Sequence, residues 1–406
     1  MSKLGDSCID TGLAGFTHIF VVLRNLEHVR TVYGDDFVHA LVNEISFRGH
    51  SRGAIISMVG EGAFLMHMHV GFPTSYCLAL QELERWQLIL SAPPFEIEGI
   101  AIFPVLSVGF VTLDLFGTPS LAEINQMSPP APMPLPEVQC SIDWRLSYES
   151  DMEFAASFYR GLGRQDFALA FQPVVSLGEG RQALYEEGLL RSVETFTQRA
   201  TTGEETISTL EKLGLIRRLD RSVVLSLLAM LRQEPQVKLG CNISSSSAVD
   251  DSWWISIMEL LALQPDLASR LTVEITEYLP MLHPETAVDF VRRLQVLGCR
   301  IAIDDFGSGF TTLDFVRRVQ PDIIKIHAGY LHRARENERS AEVLNNLVSI
   351  SSTFAPDVVI EGVENEEDLA LAKGTSAAWA QGNIFKAPQL WPSWSRHPLF
   401  IRSSSL

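Results

Sequence analysis

The chain has 406 residues, of which 46% are hydrophobic, and a formal net charge of −17. That length allows two domains with proper cores, and that hydrophobic content excludes a disordered protein. The charge excludes a protein held to a nucleic-acid polymer by phosphate neutralisation. It leaves room for a small phosphorylated ligand if metal ions and a few local bases compensate.

In chain order, the N-terminus has neither the basic start nor the apolar core of a secretory signal, so a cytoplasmic protein is expected. THIFVVLRNL (17–26) predicts a strand, and VYGDDFVHALVNEIS (32–46) predicts an amphipathic helix. GAIISMVGEGAFLMHM (53–68) predicts two short strands around a Gly-rich turn, and SYCLALQELERWQLIL (75–90) predicts a helix. IEGIAIFPVLSVGFVTL (97–113) supplies two more strands. Its almost wholly apolar part, Gly99 to Leu113, is shorter than the roughly 20 residues a membrane span needs and carries Pro104, Ser107 and Gly109. Two buried strands broken at the glycine are expected there, with no membrane span.

Residues 117–136 (GTPSLAEINQMSPPAPMPLP) are rich in proline and read as a linker. We therefore divide the chain into an α/β domain at 1–116, a linker at 117–145, and a second domain at 146–406 in which strands and helices alternate. Cys8, Cys77, Cys140, Cys241 and Cys299 are scattered without a CxxC and are expected to be reduced. His67 and His69 alternate on a strand but are too few for a metal site.

Six oxygen-bearing positions recur through the second domain: Glu187, Asn242, Glu274, the pair Asp304-Asp305, and Glu361. All but Glu187 lie in or just after short apolar runs: KLGCNIS, LTVEITE, RIAIDDFG and DVVIEGVE. The spacings, about 55, 32, 30 and 56 residues, suit single or double strand-plus-helix steps. In a parallel αβ barrel such strand ends converge on one face. Acidic groups gathered without matching bases imply a cation, and hard oxygen ligands point to magnesium or manganese. Taken singly, each residue could be a solvated charge, a cap or a turn. The ordered set is the signal.

From about Asp151 to Pro392 the chain resembles the EAL-domain phosphodiesterases of cyclic di-GMP signalling. The matching stretches are FQPVVSL, EEGLLR, GLIRRLD, CNISSSS, VEITE, AIDDFGSGFTTLDFV, PDIIKIH, VVIEGVE and QGNIFKAP. The resemblance implies a (β/α)8-type, TIM-like barrel that hydrolyses cyclic di-GMP to linear pGpG by in-line attack of water, with two Mg²⁺ or Mn²⁺ ions. It implies metal ligation by Glu187, Asn242, Glu274, Asp304, Asp305 and Glu361, with Lys325 and Gln381 beside them as catalytic groups. Gln172, Leu189 and Arg191 match positions that hold the ligand, and Glu277 matches a glutamate that braces the loop after Asp305. Homodimers through the barrel are common in that family.

Three positions depart from the family pattern. Gly188 stands where alanine is usual, and Glu186 stands where the residue is usually uncharged. His327 replaces the aspartate of Lys-x-Asp. Strand alternation predicts that His327 points into the site with Lys325, where it would slow turnover or shift metal preference.

Residues 16–115 resemble a GGDEF, or diguanylate cyclase, domain in scaffold only. Gly60-Glu61-Gly62-Ala63-Phe64 lacks the acidic pair of the signature. Val22 and Arg24 stand at the metal-binding aspartates, and Arg30 at the guanine-binding asparagine. The expectation is an inactive domain that regulates or assembles the barrel, or docks a protein partner. A catalytically inactive cyclic di-GMP receptor is the alternative reading of the whole chain.

Overall fold

The computed structural model describes residues 18–68, 76–91, 93–111, 135–193, 203–276, 284–309, 312–395 and 399–401. The N-terminal unit runs β1 (His18–Leu23), α1 (Leu26–Tyr33), α2 (Asp35–His50), β2 (Ala54–Gly60), β3 (Ala63–Met68), α3 (Tyr76–Ser91), β4 (Phe95–Ile97), β5 (Ile100–Ile102) and β6 (Leu106–Val111). Its sheet has the order β2-β3-β1-β6, with β1 antiparallel to both neighbours. Ile19, Val21 and Leu23 alternate on β1 and pack against Val29, Leu41, Ile45 and Trp86.

The helix expected over 32–46 is two helices, parted at Gly34 with φ +91°. The break expected at Gly109 falls instead at Pro104. Gly109 lies inside β6, paired with Phe20. Proline has no N–H to give to a ladder, and the Asn25 side chain spans the gap. It donates to the Phe103 carbonyl at 2.9 Å and accepts from the Val105 N–H at 3.0 Å.

The second unit opens with α4 (Ile142–Gly163), which begins inside the range read as linker. Ser141 caps it, its hydroxyl accepting from Trp144 N at 3.3 Å. There follow β7 (Phe167–Ser176), β8 (Ala183–Ser192), α5 (Gly203–Lys212), α6 (Ile216–Gln233), β9 (Leu239–Ile243), α7 (Ile255–Leu263), α8 (Pro265–Arg270) and β10 (Leu271–Ile275). The chain continues with α9 (Pro284–Leu297), β11 (Arg300–Phe306), α10 (Leu313–Val319), β12 (Ile323–Ile326), α11 (Ala328–Ala334), α12 (Glu338–Ser351), β13 (Asp357–Ile360), α13 (Glu366–Lys373), β14 (Trp379–Ala380) and β15 (Leu399–Phe400).

Strands β7 to β14 form one sheet that closes when β14 pairs with β7, giving an eight-stranded barrel of the TIM type. One feature differs from an all-parallel barrel: β7 is antiparallel to β8 and to β14. The cause is chain length. Residues 177–182 join β7 to β8, whereas a parallel crossover needs about a dozen residues or more.

The two units share packing. Ala101 and Phe103 belong to the barrel's main apolar cluster with Leu162, Leu215 and Leu219. Glu84 of α3 is buried against Arg221 of α6 and accepts from Ser256 N and Oγ at 3.0 and 2.9 Å. Cys241 and Cys299 are free and buried, and Cys140 is free and exposed. Cys8, Cys77's surroundings and His69 lie outside the described residues. No helix among the described residues is long and apolar enough to cross a membrane.

Candidate active site

Side chains of successive strand residues alternate between the barrel's inside and outside. Val174, Tyr185, Ala302, Ile323 and Val359, with Trp379 against them, form one buried cluster inside it. Two residues along each strand from that apolar layer stand Gln172, Glu187, Asp304, Lys325, Glu361 and Gln381. Asn242 and Glu274, paired across β9 and β10, complete the ring. Every barrel strand, or for β13 and β14 the residue just after it, thus brings a polar residue to a single layer.

Lys325 is at the centre. Its Nζ lies 3.0 Å from Glu187 Oε2, 2.7 Å from Glu274 Oε2, 2.9 Å from Asp304 Oδ1 and 2.8 Å from Glu361 Oε1. Both oxygens of Glu187 are held. Asn242 Nδ2 donates to Oε1, and Gln381 Nε2 donates to Oε2 at 2.8 Å. Gln381 Nε2 also lies 3.3 Å from Gln172 Oε1, and Gln172 donates to the Lys386 carbonyl at 3.1 Å. Gly240, one layer down from Asn242, admits two of these neighbours. A Cβ there would lie 2.7 Å from Glu274 Oε1 and 2.5 Å from the Tyr185 ring.

Consecutive residues on a regular strand face opposite ways, yet Asp304 and Asp305 both reach the site. A β-bulge does this. The pairing of β11 with β12 slips between Ile303 and Phe306, so two aspartates stand opposite the single Lys325. Asp305 takes φ +54°, a left-handed conformation that turns its carboxylate back toward the barrel mouth. Two clusters result: Glu187, Glu274 and Asp304 in one, and Asp304, Asp305 and Glu361 in the other, each with ligand atoms within 4.8 Å of one another. Asp304 belongs to both.

Five carboxylates around one ammonium carry a formal charge of −4. Burial pushes Glu274 and Glu361 well above the usual carboxylate range and Asp304 up to about 6. Burial works on Glu187 too, but the Lys325 charge and the bonds from Gln381 hold it below its ordinary value. Lys325 is held well above its ordinary value by the carboxylates, against the cost of burial. Glu274 Oε1, Asn242 Oδ1 and Gln381 Oε1 are buried without a hydrogen-bond partner. Orphaned buried oxygens and surplus negative charge fit divalent cations.

A cavity of about 520 Å³ opens from this layer, lined by Glu187, Leu189, Arg191, Asn242, Thr276 and Asp304 among others. Glu187, Leu189 and Arg191 alternate along β8 and so share its inward face. Arg191 is exposed at the mouth, where its Nη1 donates to the Leu190 carbonyl at 2.7 Å. The volume is that of a small-molecule site. Glu186 faces the other way, with Oε2 buried and unpartnered. Glu277 lies outside the described residues.

His327 does not point into the layer. Strand β12 ends at Ile326 and α11 begins at Ala328, so the chain turns into a helix at His327 and the alternation that predicted an inward side chain is lost. Instead His327 is the N-cap of α11, its Nδ1 accepting from Gly329 N at 3.1 Å. Its Nε2 sits at the rim, 4.0 Å from Asp305 Oδ1.

A model of the EAL domain matches residues 155–388, more than half of the chain. The chain belongs to the EAL-domain family. Its similarity to the cyclic di-GMP phosphodiesterase TpdA of Vibrio parahaemolyticus is 32% identity over 127 residues, 30% of this chain and 22% of that protein. With the cyclic di-GMP phosphodiesterase NbdA of Pseudomonas aeruginosa it shares 25% identity over 248 residues, 59% of this chain and 31% of that protein. The chain thus spans a fifth to a third of the length of these relatives. A solved structure of the S helix-GGDEF-EAL portion of Vibrio cholerae LapD, bound to c-di-GMP, matches in fold with a TM-score of 0.52. It is 15% identical, covering 92% of this chain and 90% of that one.

Reading the sequence missed several residues that shape the EAL barrel's site. Tyr330 of α11 donates from its hydroxyl to the Gly307 carbonyl at 2.7 Å, pinning the turn that follows Asp305. His332 Nε2 lies 3.1 Å from the Gly362 carbonyl, next to Glu361. Gly240 carried a signal, since glycine inside a strand marks close approach of a neighbour. Tyr330 and His332 carried none, because their partners are backbone atoms brought near only by the fold.

Proposed function

We propose that this chain is a metal-dependent phosphodiesterase that opens cyclic di-GMP to linear pGpG in its EAL barrel. The observation that carries the reading is the pair of carboxylate clusters sharing Asp304, with Glu187 and Asp304 lining a cavity of small-molecule size. Glu187, Asn242, Glu274, Asp304, Asp305 and Glu361 would hold two Mg²⁺ or Mn²⁺ ions. When bound, these ions supply Lewis-acid stabilisation of the phosphodiester and of the attacking and departing oxygens.

The remaining residues follow from their positions. Asn242 and Gln381 fix the two oxygens of Glu187, so that carboxylate is presented in one orientation. Lys325 keeps its proton and brings positive charge to the layer where phosphate charge would develop. Arg191, at the mouth, offers a guanidinium to a ligand phosphate, and Leu189 lines the same cavity, while Gln172 stands in the polar layer beside Gln381. His327 keeps the α11 cap, a role an aspartate would also fill.

The N-terminal unit is read as a degenerate GGDEF-like domain, supported by the likeness to LapD over 92% of the chain. Arg30 there is paired with Glu27, Asp35 and Glu61, so the position that would orient guanine is occupied by an ion-pair cluster. Regulation or assembly of the barrel, dimerisation through it, and a cytoplasmic location belong to this proposal.

The second reading is a cyclic di-GMP receptor without turnover. It is favoured by the seating of the N-terminal unit against Arg221 and Ser256, close to the loop that follows Asn242. Turnover of cyclic di-GMP with Mg²⁺ or Mn²⁺, followed by chromatography, decides between them. Formation of pGpG by the native chain and its loss in Glu187→Gln supports the enzyme. Calorimetric binding of intact ligand with no product under either metal supports the receptor.

A further inference from the structure

We propose that Tyr330 and His332 of α11 are positioning residues for Asp305 and Glu361, and so set the affinity of one of the barrel's two cation clusters apart from the other. The inference rests on the proposed reading of those clusters as cation sites. One is made by Glu187, Glu274 and Asp304, the other by Asp304, Asp305 and Glu361. They differ in what holds their ligands. Glu187 and Glu274 lie inside β8 and β10, each paired with the strands on both sides. Asp305 lies where the pairing of β11 with β12 slips, and Glu361 is one residue past the end of β13. A sheet ladder fixes the first pair of ligands, and something else must fix the second.

Helix α11 is placed to do so. Strand β12 stands between β11 and β13 in the sheet, so the helix that follows it starts between their ends. Residues two apart on a helix point roughly 200° away from each other, which sends Tyr330 to the β11 side and His332 to the β13 side. On the β11 side, Ser308 N and Oγ donate to the Asp305 carbonyl at 3.0 and 2.8 Å and close a turn. Within it Asp305 and Gly307 take φ +54° and +93°. A left-handed aspartate persists only where its surroundings enforce it. The Tyr330 hydroxyl donates to the Gly307 carbonyl at 2.7 Å. Its ring fills the space a Cβ on Gly307 would need, coming within 2.9 Å of that point. The Arg333 guanidinium lies over the same ring at 4.7 Å.

On the β13 side, His332 Nε2 is 3.1 Å from the Gly362 carbonyl. A carbonyl only accepts, so Nε2 carries the hydrogen. Gly362 has φ +71° and packs so closely on Ala328 that a Cβ would clash. One short helix therefore grips the backbone behind both ligands that the second cluster does not share with the first. Groups that orient ligands from behind commonly change metal affinity about 10- to 100-fold when removed.

The full chain is titrated with MnCl₂, without nucleotide, by calorimetry and by the spin resonance signal of free Mn²⁺. Native protein is expected to take up two ions. Tyr330→Phe keeps the ring under Arg333 and loses only the hydroxyl. It should weaken one ion about tenfold and leave the other unchanged. His332→Ala should weaken the same ion, and His332→Gln, which returns an N–H donor, should recover most of the loss. Asp305→Asn should weaken that ion as well, and adding Tyr330→Phe to it should cost little more, because both act through one ligand. Equal weakening of both ions would make α11 a general support of the barrel and overturn the proposal. So would two ions bound undiminished by Tyr330→Phe and His332→Ala, a result that leaves the cation reading standing. No uptake of Mn²⁺ by native protein would instead remove the cation reading, and this inference with it.

Discussion

Lys325 has three N–H donors and four carboxylates within 3.0 Å, so it cannot satisfy them all. It is nevertheless the only basic side chain in that layer among the described residues, and its removal would leave the buried carboxylates facing one another. Lys325→Met is expected to lower metal-free stability by about 3 kcal/mol. Added Mg²⁺ or Mn²⁺ should then raise its melting temperature more than it raises that of the native chain. Equal metal shifts in the two proteins would show that the layer does not take up cations. His327 makes an opposite prediction. Because its ring caps α11 and stops at the rim, His327→Ala should cost about 1 kcal/mol in denaturant unfolding. It should leave the ratio of Mg²⁺- to Mn²⁺-supported turnover unchanged. A changed ratio would mean that the imidazole reaches a bound ion after all. Gly188, where a Cβ would meet Phe171, the Gly240 carbonyl and Leu169 at 3.3, 3.4 and 3.4 Å, is a tight position for the alanine usual in the family.

At the scale of single elements, the loop after β9 is governed by a buried acid. Asp220 on α6 accepts from Ser244 N at 2.9 Å and from Ser247 Oγ at 2.6 Å. Burial pushes its carboxyl from 3.8 up to about 7. Between those values the folded chain holds a proton that the unfolded chain has lost, so stability falls as pH rises through that window and is level above it. Asp220→Asn keeps an oxygen for both donors and cannot ionise. Its stability relative to native should therefore rise from pH 4 to pH 7 and level off above that, by an amount on the order of 3 kcal/mol. Melting curves across pH check this, and a parallel offset at every pH would refute the role of Asp220. The bulge in β11 is the other decisive element. It sets Asp304 and Asp305 opposite one lysine, and Tyr330 from α11 holds the turn that follows.

Across the whole molecule, the two units are joined by buried polar contacts as well as by apolar packing. Glu84 and Arg221 are both nearly inaccessible, and burial raises the Glu84 carboxyl even against the pull of Arg221. Truncating one partner leaves the other buried and charged. Glu84→Ala is expected to cost about 3 kcal/mol and to speed amide exchange at Ser256, whose N–H it holds. Unaltered stability and unaltered exchange would mean that the seam is held by Phe103 and its neighbours alone.

The sequence by itself determined which polar residues could meet in the barrel. Asn242, Glu274, Asp304, Lys325 and Glu361 stand in or just after short apolar strands, and a period of two fixes which residues can share a face. That local rule was enough to bring one polar residue from each strand into one layer. Only the tertiary structure decided where the rule stops. The six-residue link after Ser176 made β7 antiparallel, the bulge brought Asp305 beside Asp304, and the end of β12 at Ile326 released His327 to cap a helix. Pro104 rather than Gly109 broke the strand, because Asn25, distant in sequence, could satisfy the backbone on either side. These outcomes depend on which backbone groups find partners across the fold, and pairings between distant segments are not written in the periodicity of either one.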